Sequence, residues 1–150
     1  MSEYISHNRN KYYLKCHLIF VCKYRKMLLL NDVDIFVKNV FQRIANESDF
    51  CIDIMETDKD HIHLLVSYPP NLSVSSIVKR LKQISTNSVW QVYNSFLRKH
   101  FWKEHTFWSD GYFACSIGEA NPNTIKELYS KPRLVQFIPE IFSFGDELHF

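Results

Sequence analysis

Hydrophobic and polar positions repeat along this chain with two different periods, and the switches between them mark its elements. From Tyr12 to Tyr24 the run is rich in aromatic and β-branched residues and has neither Gly nor Pro, which predicts a long central strand ending in the basic segment Lys23-Tyr24-Arg25-Lys26. Asn31 and Asp32 then offer caps for an amphipathic helix, since Val33, Phe36, Val37, Val40 and Ile44 recur at helical spacing until Ser48-Asp49 breaks the pattern. Cys51 to Glu56 reads as a short strand, Thr57 to Asp60 as a polar turn, and His61 to Tyr68 as a second strand, so the two should pair as an antiparallel hairpin closed off by Pro69-Pro70-Asn71. Ser73 caps a second helix whose Val74, Ile77, Val78, Leu81 and Ile84 face inward and whose Lys79, Arg80, Lys82 and Gln83 form a solvated basic face. An aromatic segment from Phe101 to Gly118 follows, with Ser109-Asp110-Gly111 as a turn before a closing strand. Asn121 and Pro122 start a third helix through Ile125 to Tyr129, which Pro132 should stop.

Strand, helix, strand, strand, helix, strand is the order of a split βαβ unit. The expected fold class is therefore α+β, a ferredoxin-like antiparallel sheet with two helices on one face. In the strand from His61, alternation buries Ile62, Leu64 and Val66 on the helix side and puts His61 and His63 together on the other face.

Composition narrows the class without naming a function. At 150 residues, 46% hydrophobic and 15% aromatic, the chain is long enough for one globular domain with a real core. Cys16, Cys22, Cys51 and Cys115 form no Cys-x-x-Cys pair and follow no secretory leader, so a reduced, cytoplasmic protein is expected. No apolar stretch is long enough to cross a bilayer. Net charge is only +2, but all 18 Lys and Arg lie at or before Arg133, while Glu140, Asp146 and Glu147 lie after it. That bias is compatible with an anionic polymer as partner and does not demand one.

The candidate chemistry is concentrated in His61-Ile62-His63. Neutral imidazole is the commonest nitrogen ligand for divalent cations, and two of them on one strand face make half a metal site, with positions left for carboxylates, amides, water or a phosphate oxygen. The plain alternative is two ordinary histidines on a half-buried strand. The rings of the aromatic segment, Trp108 among them, could stack bases or simply fill a core.

Three segments taken together point further: Cys16 to Arg25, Asp60 to Val66, and Trp108 to Phe113 continuing through Ser116-Ile117-Gly118. In this order they resemble the single-tyrosine HUH transposases of the insertion sequence 200/605 family, over roughly residues 10 to 127. The resemblance implies a homodimer that binds imperfect DNA hairpins near the ends of a mobile element and cuts and rejoins single-stranded DNA. It implies that His61 and His63 hold Mg²⁺ or Mn²⁺, and that Tyr129 on the last helix is the nucleophile, leaving a 5′-phosphotyrosine link and a free 3′-hydroxyl. Lys23 and Arg25 are expected to contact DNA. A phenol with pKa near 10 is a weak nucleophile at neutral pH, which is why this chemistry calls for a cation on the phosphate.

The chain departs from that family at the last helix. The family pattern has a glutamine four residues after the tyrosine, one helical turn on; here Arg133 holds that place, the tyrosine comes one residue late, and Pro132 interrupts the helix. Arg133 has no acceptor and cannot be a metal ligand. Gln136, Glu56 and Asp60 are the substitute candidates. A one-base insertion in the gene would account for the change: with TTA TAT AGC AAA CCA AGA as codons for Leu128 to Arg133, reading one base later would spell Tyr-Ile-Ala-Asn-Gln. The transposase domain is accordingly read as 1–133 and residues 134–150 as an out-of-frame tail. Two other functions stay open at this point, a hairpin-binding relative that no longer cuts, and a metal-dependent phosphoesterase that uses water in place of Tyr129.

Overall fold

The computed structural model describes residues 14–117 throughout and the backbone of residues 5–7 and 10–12. A small antiparallel hairpin, β1 (Ile5–His7) and β2 (Asn10–Tyr12), precedes the central strand β3 (Leu14–Val21). Then come α1 (Val33–Asn46), β4 (Cys51–Thr57), β5 (His61–Tyr68), α2 (Val74–Val92), a short α3 (Asn94–Arg98) and β6 (Phe113–Ile117). The main sheet has the order β4-β5-β3-β6, with every neighbouring pair antiparallel. This is the α+β split βαβ arrangement expected from the pattern, of ferredoxin-like topology.

The core lies between one face of this sheet and the helices. Cys16, Leu18 and Phe20 of β3 and Ile62, Leu64 and Val66 of β5 meet Val37, Phe41 and Ile44 of α1 and Ile77, Leu81 and Val89 of α2, all of them buried. Both helices present their apolar stripe because the spacing that aligns those residues on one side also sends the charged ones outward. Ser73 caps α2 as expected, its hydroxyl accepting from the backbone N–H of Ser76 at 3.1 Å.

Three local expectations change. The central strand stops at Val21: Cys22 makes only an isolated bridge to Trp108, and Lys23–Arg25 form a 3₁₀ turn in which Tyr24 and Arg25 have φ of 57° and 54°. Asn31 and Asp32 do not cap α1 with their side chains. They take left-handed backbone, φ 53° and 77°, and Val33 N–H closes the turn onto the Leu30 carbonyl at 3.0 Å. Asn and Asp tolerate that region better than other residues with a Cβ. The aromatic segment before β6 is preceded by α3, a single short helix the periodicity did not separate from α2. The third helix expected from Asn121, with Tyr129 on it, lies outside the described residues, as do Arg133 and Gln136.

Candidate metal and nucleic-acid site

Strand register decides what shares the face away from the helices. Opposite residues of β3 and β5 pair as His17 with Leu65, Ile19 with His63, and Val21 with His61, so His17, Ile19, Val21, His61 and His63 all project to that side. The His61 and His63 rings stand with centroids 4.9 Å apart, tilted by 52°. His17 reaches diagonally across and stacks on His63, centroids 5.7 Å apart and planes within 22°. Phe113 of β6 meets the far side of His17 edge-on at 6.1 Å. The two predicted ligands are thus brought together as expected, and a third imidazole joins them that the sequence pattern had not singled out.

The surroundings of the pair differ from the open outward face that alternation suggests. All three imidazoles are 5% exposed, set among Ile19, Val21 and Leu65, which are buried as well. The apolar neighbours agree with this burial, since strands carrying branched residues on both faces are those of sheets covered on both sides. Burial in turn favours the uncharged ring. The pKa of His17 falls to about 4 through desolvation, and that of His63 to about 3 through desolvation first and then the neighbouring His61 and His17, with Asp58 opposing. At neutral pH His17 and His63 are free of charge, the state in which a ring nitrogen can bind a cation.

His61 is held from behind. Its Nδ1 lies 2.6 Å from Oδ1 of Asp60, and the Asp60 carboxyl sits below the usual carboxylate range, chiefly because of this hydrogen bond. An ionised carboxylate can only accept, so Nδ1 carries a proton, and in the uncharged ring the lone pair is then on Nε2. That Nε2 is buried and has no hydrogen-bond partner among the described residues. A buried acceptor left without a donor is the kind of group a metal ion satisfies. Arg25 extends the chain, its Nε 3.8 Å from the other Asp60 oxygen. The turn carrying Asp60 is pinned by Cys22 N–H on the Asp60 carbonyl and Leu29 N–H on the Lys59 carbonyl, both at 2.9 Å.

Asp60, one of the substitute ligand candidates, turns one carboxylate oxygen to His61 Nδ1 and the other towards Arg25. Glu56 stands opposite His63 on β4, in register and exposed. Among the described residues no three His, Cys, Asp or Glu side chains are grouped to hold a metal ion. The donor set that fits a divalent cation here is the pair of imidazoles, with further ligands to come from elsewhere.

Lys23 and Arg25 flank the turn at the end of β3. Lys23 Nζ lies 3.5 Å from an Asp110 oxygen, and Arg25 faces Asp60. Lys82, expected on the solvated face of α2, instead bends inward: its Nζ donates to the carbonyls of Ser109 at 2.6 Å and Gly111 at 2.7 Å and lies over the Phe20 ring. The turn at residues 109–111 leaves carbonyls without backbone donors, and a long cationic side chain on the adjoining helix supplies them. Trp108 belongs to the core, 4% exposed, packed against Phe20, Phe41 and Phe107, its Nε1 donating to Ser85 Oγ at 2.9 Å.

Fold and site together define an α+β split βαβ protein whose sheet carries a carboxylate-backed histidine pair on the face away from its helices. Over residues 10–129 the chain matches the family described as "Transposase IS200 like". It is 31% identical to the ISDra2 transposase TnpA of Deinococcus radiodurans over 108 residues, 72% of this chain and 76% of that protein. It is 29% identical to the transposase for insertion sequence element IS200 of Salmonella typhimurium over 112 residues, 75% of this chain and 70% of that one. The chain belongs to the IS200-like transposase family. Two solved structures share its fold: a protein of Deinococcus radiodurans R1 assigned as a transposase, with TM-score 0.66 and 23% identity over 83% of this chain and 95% of that one, and a REP-associated tyrosine transposase bound to a REP hairpin, with TM-score 0.54 and 14% identity over 82% and 67%. No helix among the described residues is long and apolar enough to cross a membrane.

Proposed function

We propose that this protein binds terminal DNA hairpins of a mobile element and cleaves and rejoins single-stranded DNA through a 5′-phosphotyrosine intermediate, with Tyr129 as nucleophile and Mg²⁺ or Mn²⁺ held at His61 and His63. The single observation that carries the reading is the buried His61 Nε2, without a hydrogen-bond partner among the described residues while Asp60 engages Nδ1 behind it. Family membership supplies the reaction class, and the neutral state of His63 supports its use as a ligand.

When bound, the cation stabilises charge on the non-bridging oxygens of the scissile phosphate. The Tyr129 oxygen attacks phosphorus as its proton leaves, the bond to the 3′ oxygen breaks, and that oxygen takes up a proton. The phosphodiester energy stays in the tyrosine link, so another 3′-hydroxyl can reverse the step without ATP. The working unit in this reading is a cytoplasmic homodimer built on residues 1–133, with 134–150 an out-of-frame tail. The REP-associated tyrosine transposase is described as bound to a hairpin, and we extend that kind of ligand to this chain.

A second reading has its own support. Pro132 and Arg133 stand where the family pattern continues its helix and places glutamine, which favours a relative that binds hairpins and cuts poorly. Incubation of the protein with Mg²⁺ and labelled hairpin strands from the DNA flanking its gene, followed by a denaturing gel, separates the two. A covalent adduct lost in Tyr129→Phe, and in His61→Ala with hairpin binding kept, is the expected result. Tight binding without any adduct leaves only the binding reading. Strand hydrolysis that persists in Tyr129→Phe removes the tyrosine mechanism in favour of a water nucleophile.

A further inference from the structure

Where β3 ends, the turn at residues 23–25 packs against the loop that follows α3. The Tyr24 ring lies 6.3 Å from Phe101, and its hydroxyl donates to the Glu104 carboxylate, 2.8 and 3.0 Å from the two oxygens. Lys26 Nζ sits 5.9 Å over the Phe101 ring. Burial first, and then the positive charges of Lys26 and Lys99, hold the pKa of His100 below its ordinary value. Trp102, next to Phe101 in the chain, is 80% exposed, with Lys103 Nζ 4.5 Å from its ring centre. The other two tryptophans are buried and bonded through their indole N–H, Trp90 to the Thr106 carbonyl and Trp108 to Ser85. Trp102 alone of the three offers an open indole face.

The backbone under this patch is strained. Tyr24 and Arg25 are consecutive residues with side chains in left-handed backbone, a conformation that costs free energy and persists where the surroundings enforce it, often at functional sites. Its effect is to split the two side chains: Tyr24 turns outward, 58% exposed, while Arg25 turns to Asp60 behind His61. The patch therefore begins one residue away from the histidine site.

We propose that this surface is a stacking platform for single-stranded DNA, with an unpaired base on the exposed face of Trp102 and its flanking phosphates on Lys26, Lys99 and Lys103. The inference rests on DNA being the substrate and adds where its unpaired segment lies. An exposed indole with one ammonium group on its ring and another on the ring of the preceding residue, Phe101, fits a nucleic-acid strand, since bases stack on aromatic rings whatever their sequence while the cations track phosphates. Paired bases in a duplex hide their faces, so the occupant is unpaired. A protein partner is disfavoured by the density of lysine, which is depleted in the cores of protein interfaces.

The test needs no cleavage and is run in EDTA. The probes are a thymidine oligonucleotide of about 12 nucleotides, within the usual site size, and a blunt hairpin with the same number of phosphates. The oligonucleotide should quench tryptophan fluorescence of the wild-type protein. Trp102→Ala should abolish that quenching and weaken oligonucleotide binding about tenfold, with hairpin affinity within about twofold of wild type, and Trp102→Phe should recover most of the loss. Lys26→Gln with Lys103→Gln should lower the salt slope of oligonucleotide binding by roughly 1.4, about 0.7 for each single-strand phosphate contact. Equal oligonucleotide affinity in wild type and Trp102→Ala overturns the proposal. So does a Trp102→Ala protein that unfolds at the wild-type temperature but changes oligomeric state, because a second copy would then cover the indole. A wild-type adduct at Tyr129 together with Trp102-independent binding removes this inference alone. Trp102-dependent binding without any adduct keeps the platform and removes the cleavage reading.

Discussion

Asp60 holds His61 by the rear nitrogen of its ring, Oδ1 to Nδ1 at 2.6 Å, and so decides which nitrogen faces the sheet surface. Carboxylates placed behind metal-binding histidines fix the tautomer and raise the basicity of the nitrogen in front. Asp60→Ala removes the acceptor, and Asp60→Asn removes the charge and lets the amide donate to Nδ1, which would move the ring proton to Nε2. Either change should weaken Mn²⁺ binding by about 10–100-fold, read from the free-ion Mn²⁺ signal in electron paramagnetic resonance. Hairpin affinity in EDTA should stay unchanged. Unaltered Mn²⁺ affinity in both variants would show that His61 does not use Nε2 for the metal.

Acid should unfold the metal-free protein through the same histidines. The pKa values of His17 and His63, about 4 and about 3, lie below the ordinary 6.5 of an unfolded chain. Between those values and 6.5 the unfolded chain binds more protons, so stability is full above pH 6.5 and declines as pH falls through this window. From pH 7 to pH 5 the loss should be on the order of 2–4 kcal/mol for the two together. Urea midpoints at pH 7, 6 and 5 measure it, and His17→Gln should flatten the curve. A midpoint constant over this range would mean the rings are solvated.

Lys82 ties α2 to the turn before β6 through the carbonyls of Ser109 and Gly111. Burial pulls its ammonium down to about 8, with Asp110 opposing, which leaves it charged at neutral pH. Lys82→Met keeps the aliphatic stem over Phe20 and removes the donors. It should cost about 1.5–3 kcal/mol, the range for hydrogen bonds to a charged group, and speed amide exchange around residues 109–112. A variant as stable as wild type would place the lysine in solvent.

What the sequence shows and what it hides divide along one physical line. Period-two alternation was enough to set His61 and His63 on one face, and period 3.6 was enough for α1 and α2, because each signal is local. Register between strands is not local: nothing in the run Lys15-Cys16-His17 says that its imidazole will lie diagonal to His63, so His17 became visible only with β3 and β5 paired. The Lys82 position hid for a related reason. Helical spacing assigns it to the polar face, and only the carbonyls of a turn some thirty residues later draw it inward. Trp102 and Trp108 look alike in sequence, and their opposite fates are set by tertiary packing.

Trp108 closes the core through one polar contact, its Nε1 donating to Ser85 Oγ at 2.9 Å with Ser85 fully buried and Trp108 nearly so. A buried indole N–H needs a partner, and the serine sits one helical turn after Leu81 on the inward side of α2 to supply it. Ser85→Ala should destabilise the protein by about 1–3 kcal/mol, the cost of leaving the donor without an acceptor. Trp108→Phe removes the donor and much ring volume beside Phe20 and Phe41, so it carries a cavity cost of its own. With the donor gone, however, the serine hydroxyl has nothing to satisfy in the indole pocket, and Ser85→Ala in that background should cost about 1 kcal/mol less than it does alone. Strict additivity of the two substitutions in urea unfolding would mean that the hydrogen bond contributes nothing and that the pair is held by packing.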